Sequence, residues 1–149
     1  MVEELDVVVY ASLRLTAPEL DPAVVTRCLQ LPPDAQHRRG EPHLVRGRKG
    51  RVIVYSPRTC GLWSMSSRGW VDSASLDDHV RWLLDEVEPR EEALRGIDVA
   101  GSNVDIHCFS AGPSSVAPVV SRPLVARAGR LGIEIDVEHY DVRRREGEL

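Results

Sequence analysis

The chain contains a single lysine, Lys49, and only three cysteines, Cys28, Cys60 and Cys108. Their number is odd and no two stand in C-x-x-C spacing, which argues against a disulfide framework and against a structural zinc knuckle. Long apolar runs are missing. Near the start the longest is Val7-Val8-Val9-Tyr10-Ala11, far short of the roughly 20 residues that a membrane span requires. The first residues, Met1-Val2-Glu3-Glu4, carry the wrong charge for a signal peptide, so the expected compartment is the cytoplasm and no membrane is expected as a partner. Nucleophile-elbow, P-loop and dinucleotide fingerprints do not occur; Gly47 and Gly50 are not followed by the Lys-Ser/Thr of a phosphate loop. Aromatic residues are scarce, at one Phe, three Tyr and three Trp.

What remains is an ordinary globular composition. The 149 residues are 42% hydrophobic and 28% charged, enough for one core and too apolar for wholesale disorder. The net charge of −4 is unevenly spread. Between Gln36 and Arg51 six cations (Arg38, Arg39, Arg46, Arg48, Lys49, Arg51) face one carboxylate, Glu41, so this stretch carries +5 and the remainder −9. Such asymmetry steers an acidic partner to one segment, although a solvated loop carries charge in the same way.

Residues 5–15 alternate as a half-buried strand, with Val7, Val9, Ala11, Leu13 and Leu15 on one side and Val8, Tyr10, Ser12 and Arg14 on the other. Asp21-Pro22 then reads as N-cap and first helical residue, with Leu20 stapled on Val25 and an inner face of Val24, Val25, Cys28 and Leu29. Pro32-Pro33 stops that helix. A basic loop follows over 34–50. Residues 51–56 and 62–67 suggest two strands of a hairpin joined through 57–61. Ser75 with Asp78 suggests a cap for a helix carrying Leu76, Val80, Leu83, Leu84 and Val87, and Pro89 kinks it or starts a further turn. Residues 104–110 form a strand with Val104, Ile106 and Cys108 on one face and Asp105, His107 and Phe109 on the other. Ser121 caps a last helix that Gly132 ends, residues 133–140 form the last strand, and 143–149 form a frayed tail.

The expected fold class is α+β, one domain over 1–149. It is a ferredoxin-like (split β-α-β) single mixed sheet with helices packed on one face and an added α-β unit at the C-terminus.

The order Ala11-Ser12-Leu13-Arg14-Leu15 followed by Leu20-Asp21-Pro22 resembles the start of a bacterial family called domain of unknown function 4279. The similarity continues through Pro33-Asp34-Ala35, Arg39-Gly40-Glu41, Gly61-Leu62-Trp63-Ser64-Met65-Ser66-Ser67, the stretch Leu76 to Leu84, and Leu131-Gly132-Ile133-Glu134-Ile135-Asp136. It covers roughly residues 7–140. The resemblance implies a small cytosolic α+β protein and brings no catalytic residues with it.

Two candidate sites emerge. The first is the basic loop, Arg38, Arg39, Arg46 and Arg48, together with Trp63 and Trp70, which bracket the polar run Ser64 to Arg68; tryptophan is enriched at binding hot spots. It suits a small binding or interaction protein, of immunity or accessory type, that takes an acidic protein partner. The second is the outward sheet face, Tyr10, Arg14, Asp105, His107 and Asp136, flanked by Glu138 and Tyr140. Asp105 and His107 lie two apart on one strand and point the same way, so the carboxylate can orient an imidazole base for a small-molecule-binding or hydrolytic site. The same open face also suits a homodimer. Asp-x-His without a second histidine is no metal signature, and no cofactor is expected. His107 and Cys108 point to opposite faces and cannot form a nucleophile–base pair; Cys60 beside Arg58 has no histidine placed for it. Nucleic acid is not expected, because the net charge has the wrong sign and Asp105, Asp136 and Glu138 would oppose phosphates.

Overall fold

The computed structural model describes residues 7–143; the expected frayed tail, apart from Arg143, lies outside them. The elements in chain order are β1 (Val8–Ala17), α1 (Pro22–Leu29), β2 (Ala35–His37), β3 (His43–Arg46), β4 (Val52–Tyr55), β5 (Gly61–Ser66), α2 (Leu76–Val87), α3 (Glu91–Arg95), β6 (Asn103–Gly112), α4 (Arg122–Arg130) and β7 (Glu134–Asp141). Five strands form a mixed sheet in the order β2-β5-β1-β6-β7, and β3 and β4 form a separate two-stranded ribbon. The α+β class therefore holds. The described residues divide into two compact units: 7–13, 66–89 and 105–143, and 14–65 and 90–104.

In the first unit, period-two alternation sets the faces. Val9, Ala11 and Leu13 of β1 are buried, as are Ile106, Cys108 and Ser110 of β6. The helix α2 buries Leu76, His79, Val80, Leu83, Leu84 and Val87, a stripe at helical spacing. Arg127 of α4 reaches Asp85 at 2.7 Å and also Glu88, tying α4 to α2 and the turn that follows it. Those two carboxylates hold the guanidinium's pKa above its ordinary value. The strands β6 and β7 run parallel and in register, His107 beside Asp136 and Ser110 beside His139.

The expected cap on α2 is reassigned. Ser75 occupies the N-cap position without a side-chain hydrogen bond. Ser73 instead donates to the Asp78 carboxylate at 2.6 Å and accepts from the Ser75 N–H. This hydrogen bond, with Arg81 behind it, holds the Asp78 carboxyl below its usual range.

In the second unit, Asp21 caps α1 through the Ala23 N–H at 3.0 Å, with Pro22 at the start of the helix as expected. Pro22, Val25 and Leu29, at helical spacing, form the inner stripe; Val24 and Cys28 are exposed, contrary to expectation, because they sit on the adjacent stripe. Helix α1 ends at Gln30, which takes a left-handed conformation (φ 53°) and returns its N–H to the Thr26 carbonyl.

The expected hairpin between 51–56 and 62–67 does not form. The strand β4 pairs antiparallel with β3, Leu44 opposite Val54 and Val45 opposite Ile53, so part of the basic loop becomes a strand. The turn that permits this runs through Lys49 (φ 63°) and Gly50 (φ 74°), and the Gly47 N–H donates to the Arg51 carbonyl at 2.7 Å. The strand β5 is drawn elsewhere, antiparallel to β2 with Ala35 opposite Ser64. Gly61 is needed where β5 begins: a Cβ there would stand 2.3 Å from the Leu20 carbonyl oxygen.

Trp63 on β5 is wholly buried and donates its indole N–H to Thr26 Oγ1 at 3.0 Å. A Trp63→Ala exchange is expected to cost about 3–5 kcal/mol, as large aromatic truncations in cores do. Denaturant unfolding monitored by circular dichroism checks it, since far-UV signal does not depend on the lost indole.

Candidate functional site

The outward face of the first unit carries the residues that alternation sends away from the helices. Tyr10 of β1 stacks on Phe109 of β6, ring centroids 4.9 Å apart and planes within 16°, and Phe109 meets Tyr140 of β7 at 5.6 Å. The Arg68 guanidinium lies over Tyr10, 5.2 Å from its centroid. Beside this aromatic row, His107 points Nδ1 at Asp136 (2.8 Å) and Nε2 at Glu138 (3.0 Å). The Tyr140 hydroxyl donates to the other Glu138 oxygen, which raises the phenol's pKa. Tyr10, His107 and Asp136 of the expected set are therefore on one face, joined by Phe109, Glu138 and Tyr140. Asp105 shares that face one step along β6, opposite Glu134. Arg14 belongs to the second unit.

This geometry restricts what His107 can do. A carboxylate only accepts hydrogen bonds, so both contacts coexist only when both ring nitrogens carry hydrogen. In that state the imidazole has no lone pair with which to take a proton. The arrangement ties β6 to β7 through an imidazole held between two carboxylates. Among the described residues no group of three or more His, Cys, Asp or Glu is arranged to hold a metal ion.

The cations of the other candidate site behave unequally. Arg38 pairs with Asp21 at 2.8 Å and Arg39 with Glu19 at 2.6 Å, so two of the four expected arginines are balanced within the second unit. Arg46 is exposed on β3. The Arg48 side chain lies outside what the structure describes. Trp63, expected as an anchor, belongs to the core, because its ring is enclosed and its N–H already used. Trp70 is 61% exposed and stacks on Trp82 with centroids 5.9 Å apart, in the first unit.

The ribbon itself was not expected to be so bare. Its cross-strand register puts His43, Val45, Ile53 and Tyr55 on one face and Leu44, Arg46, Val52 and Val54 on the other. Val54 is 73% exposed, Leu44 57% and Val52 53%. Near its base His37 has a buried Nδ1 with no hydrogen-bond partner, and burial, with Arg58, lowers its pKa. The run Val52-Ile53-Val54-Tyr55, apolar at four consecutive positions, is the signal in the sequence that could have exposed it, although from sequence it reads as one strand of the hairpin with 62–67.

The model of the family described as domain of unknown function (DUF4279) matches residues 8–142. The chain belongs to this family. No curated protein and no solved structure matches it. No helix of this DUF4279 chain is long and apolar enough to cross a membrane, among the described residues.

The three thiols are free. Cys108, facing the core of the DUF4279 fold's first unit, has its pKa pushed up to about 12, mainly by burial and further by Asp136. The thiolate is the reactive form, so at pH 8 Cys108 stays protonated and shielded. Iodoacetamide is expected to modify Cys28 and Cys60 in the native protein and all three thiols after denaturation, read as two and three adducts by intact mass.

Proposed function

We propose that this DUF4279 protein is a binding module that takes an acidic protein partner on the β3–β4 ribbon, acting in the cytosol. The carrying observation is that a two-stranded ribbon exposes apolar side chains on both faces. Two strands alone are marginal in water, and exposed apolar ribbon faces normally mark a contact surface. Charge selects the partner. Arg46, Lys49 and Arg51 border the apolar strip, and none of them forms an ion pair among the described residues. Among the described residues each ribbon strand is paired on one side alone, which suits a partner that adds a strand.

The scaffold reading that goes with this is ferredoxin-like. The order β6-β1-β5-β2 repeats the strand arrangement of a split β-α-β unit, with β2 in the place expected for 51–56 and β7 as the added edge. The alternative small-molecule site around Asp105 and His107 has less support, because the paired carboxylates occupy both nitrogens of His107.

Affinity capture by the tagged chain at low and moderate salt, with bound protein and nucleic acid both read out, tests the proposal. Retention of a stoichiometric acidic protein is expected, lost on Leu44→Asp/Val54→Asp and weakened at least tenfold by Arg46→Glu/Arg51→Glu. Retention unchanged in both variants, recovery of nucleic acid alone, or only self-association in a concentration-dependent mass would overturn it.

A further inference from the structure

Among the described residues of the first unit there are three Ser–His or carboxylate–His arrangements, and one of them pairs a serine hydroxyl with an adjoining cavity. His107 is held between two carboxylates. Ser67 and His79 are 0% and 2% exposed; Ser67 Oγ accepts from the Ala11 N–H and contacts His79 Nδ1 at 2.7 Å, while His79 Nε2 meets the Ser73 carbonyl. That pair is a closed hydrogen-bond chain in the core. The third pair is Ser110 on β6 and His139 on β7, register partners on the inward face; Ser110 is itself 2% exposed, but unlike Ser67 and His79 this pair lines a cavity.

Ser110 Oγ lies 3.0 Å from His139 Nδ1, and His139 Nε2 lies 2.7 Å from the Ser114 carbonyl oxygen. The carbonyl only accepts, so Nε2 carries the hydrogen, and whenever the ring is neutral its Nδ1 lone pair faces the serine hydroxyl. The serine must then donate. This is the order nucleophile, base, orienting acceptor on which serine acyl transfer depends. Ser110 and His139 line a cavity of about 180 Å³ whose other walls include Val7, Val9, Pro113, Val116 and Pro118. A cavity of roughly 150 Å³ holds a benzene ring, so a short acyl chain or a small ring fits. The pair also sits towards the carboxyl ends of two parallel strands, where open sheets with helical crossovers place their ligands.

The geometry points to a serine acyl-transfer site at Ser110 for small esters with an apolar acyl group. Ser110 Oγ bonds to the ester carbonyl carbon as its proton passes to His139 Nδ1. The bond from that carbon to the alcohol oxygen breaks, and Nδ1–H returns the proton to the departing alcohol. Water then attacks the acyl-serine, giving one proton to Nδ1; the carboxylic acid leaves and Ser110 recovers its proton. No oxidant, metal or further reactant is needed, and the site is independent of the ribbon.

The test uses the full chain with a fluorophosphonate probe and with p-nitrophenyl butyrate. Phosphonylation is expected at Ser110, located by peptide mass, with butyrate release above background. Ser110→Ala abolishes both, and His139→Gln, checked for fold by circular dichroism, slows labelling by about 10²-fold or more, the usual contribution of a general base. Mapping on the folded parent protein decides the matter even if a variant fails to fold. No label on Ser110, label at another residue only, or a folded His139→Gln protein labelled at the parent rate would overturn the assignment.

Discussion

The in-register parallel pairing of β6 with β7 is the constraint on which the chemistry of the first unit depends. Because successive side chains alternate faces, one register assigns two histidines to opposite environments. His107 meets Asp136 and Glu138 on the outward side, and His139 meets Ser110 on the inward side. A slip of one residue would exchange the faces, placing carboxylates against the core and the apolar residues in water. Burial of Ile106 and Cys108 therefore protects both arrangements at once.

Much of the fold was legible because its signals are local. Alternation in β1, β6 and β7, the Asp21-Pro22 start of α1 and the apolar stripe of α2 each reside within a dozen residues. The outward placement of Tyr10, His107, Phe109, Asp136, Glu138 and Tyr140 followed from the same alternation. Strand pairing is not local. Residues 52–55 are apolar at every position, so they name no inner face and no partner, and the turn at Lys49 and Gly50 joins them to β3 instead of β5. The Ser110–His139 contact spans 29 positions and exists only through the β6–β7 register, which no short motif announces.

The two units also differ in how their charges are used. In the first, Arg127 and His107 sit between pairs of carboxylates, so exposed acidic side chains hold elements together. In the second, Asp21 and Glu19 take up Arg38 and Arg39, and the positive field remains with Arg46, Lys49 and Arg51 on the ribbon and its turn. Net charge alone conceals this division. A chain that is acidic as a whole still carries a cationic, apolar surface on its ribbon.

The turn of that ribbon has a practical consequence through its composition. Arginine supplies every other side-chain cation, so Lys49, exposed in a left-handed backbone conformation at the tip, holds the sole side-chain amine of the chain. Amine-directed dyes and cross-linkers aimed at side chains are thereby confined to one address, at the end of the bare apolar strip. Nature has in effect supplied a single reporter position, and its loss of reactivity on complex formation would be a direct footprint of what the ribbon touches.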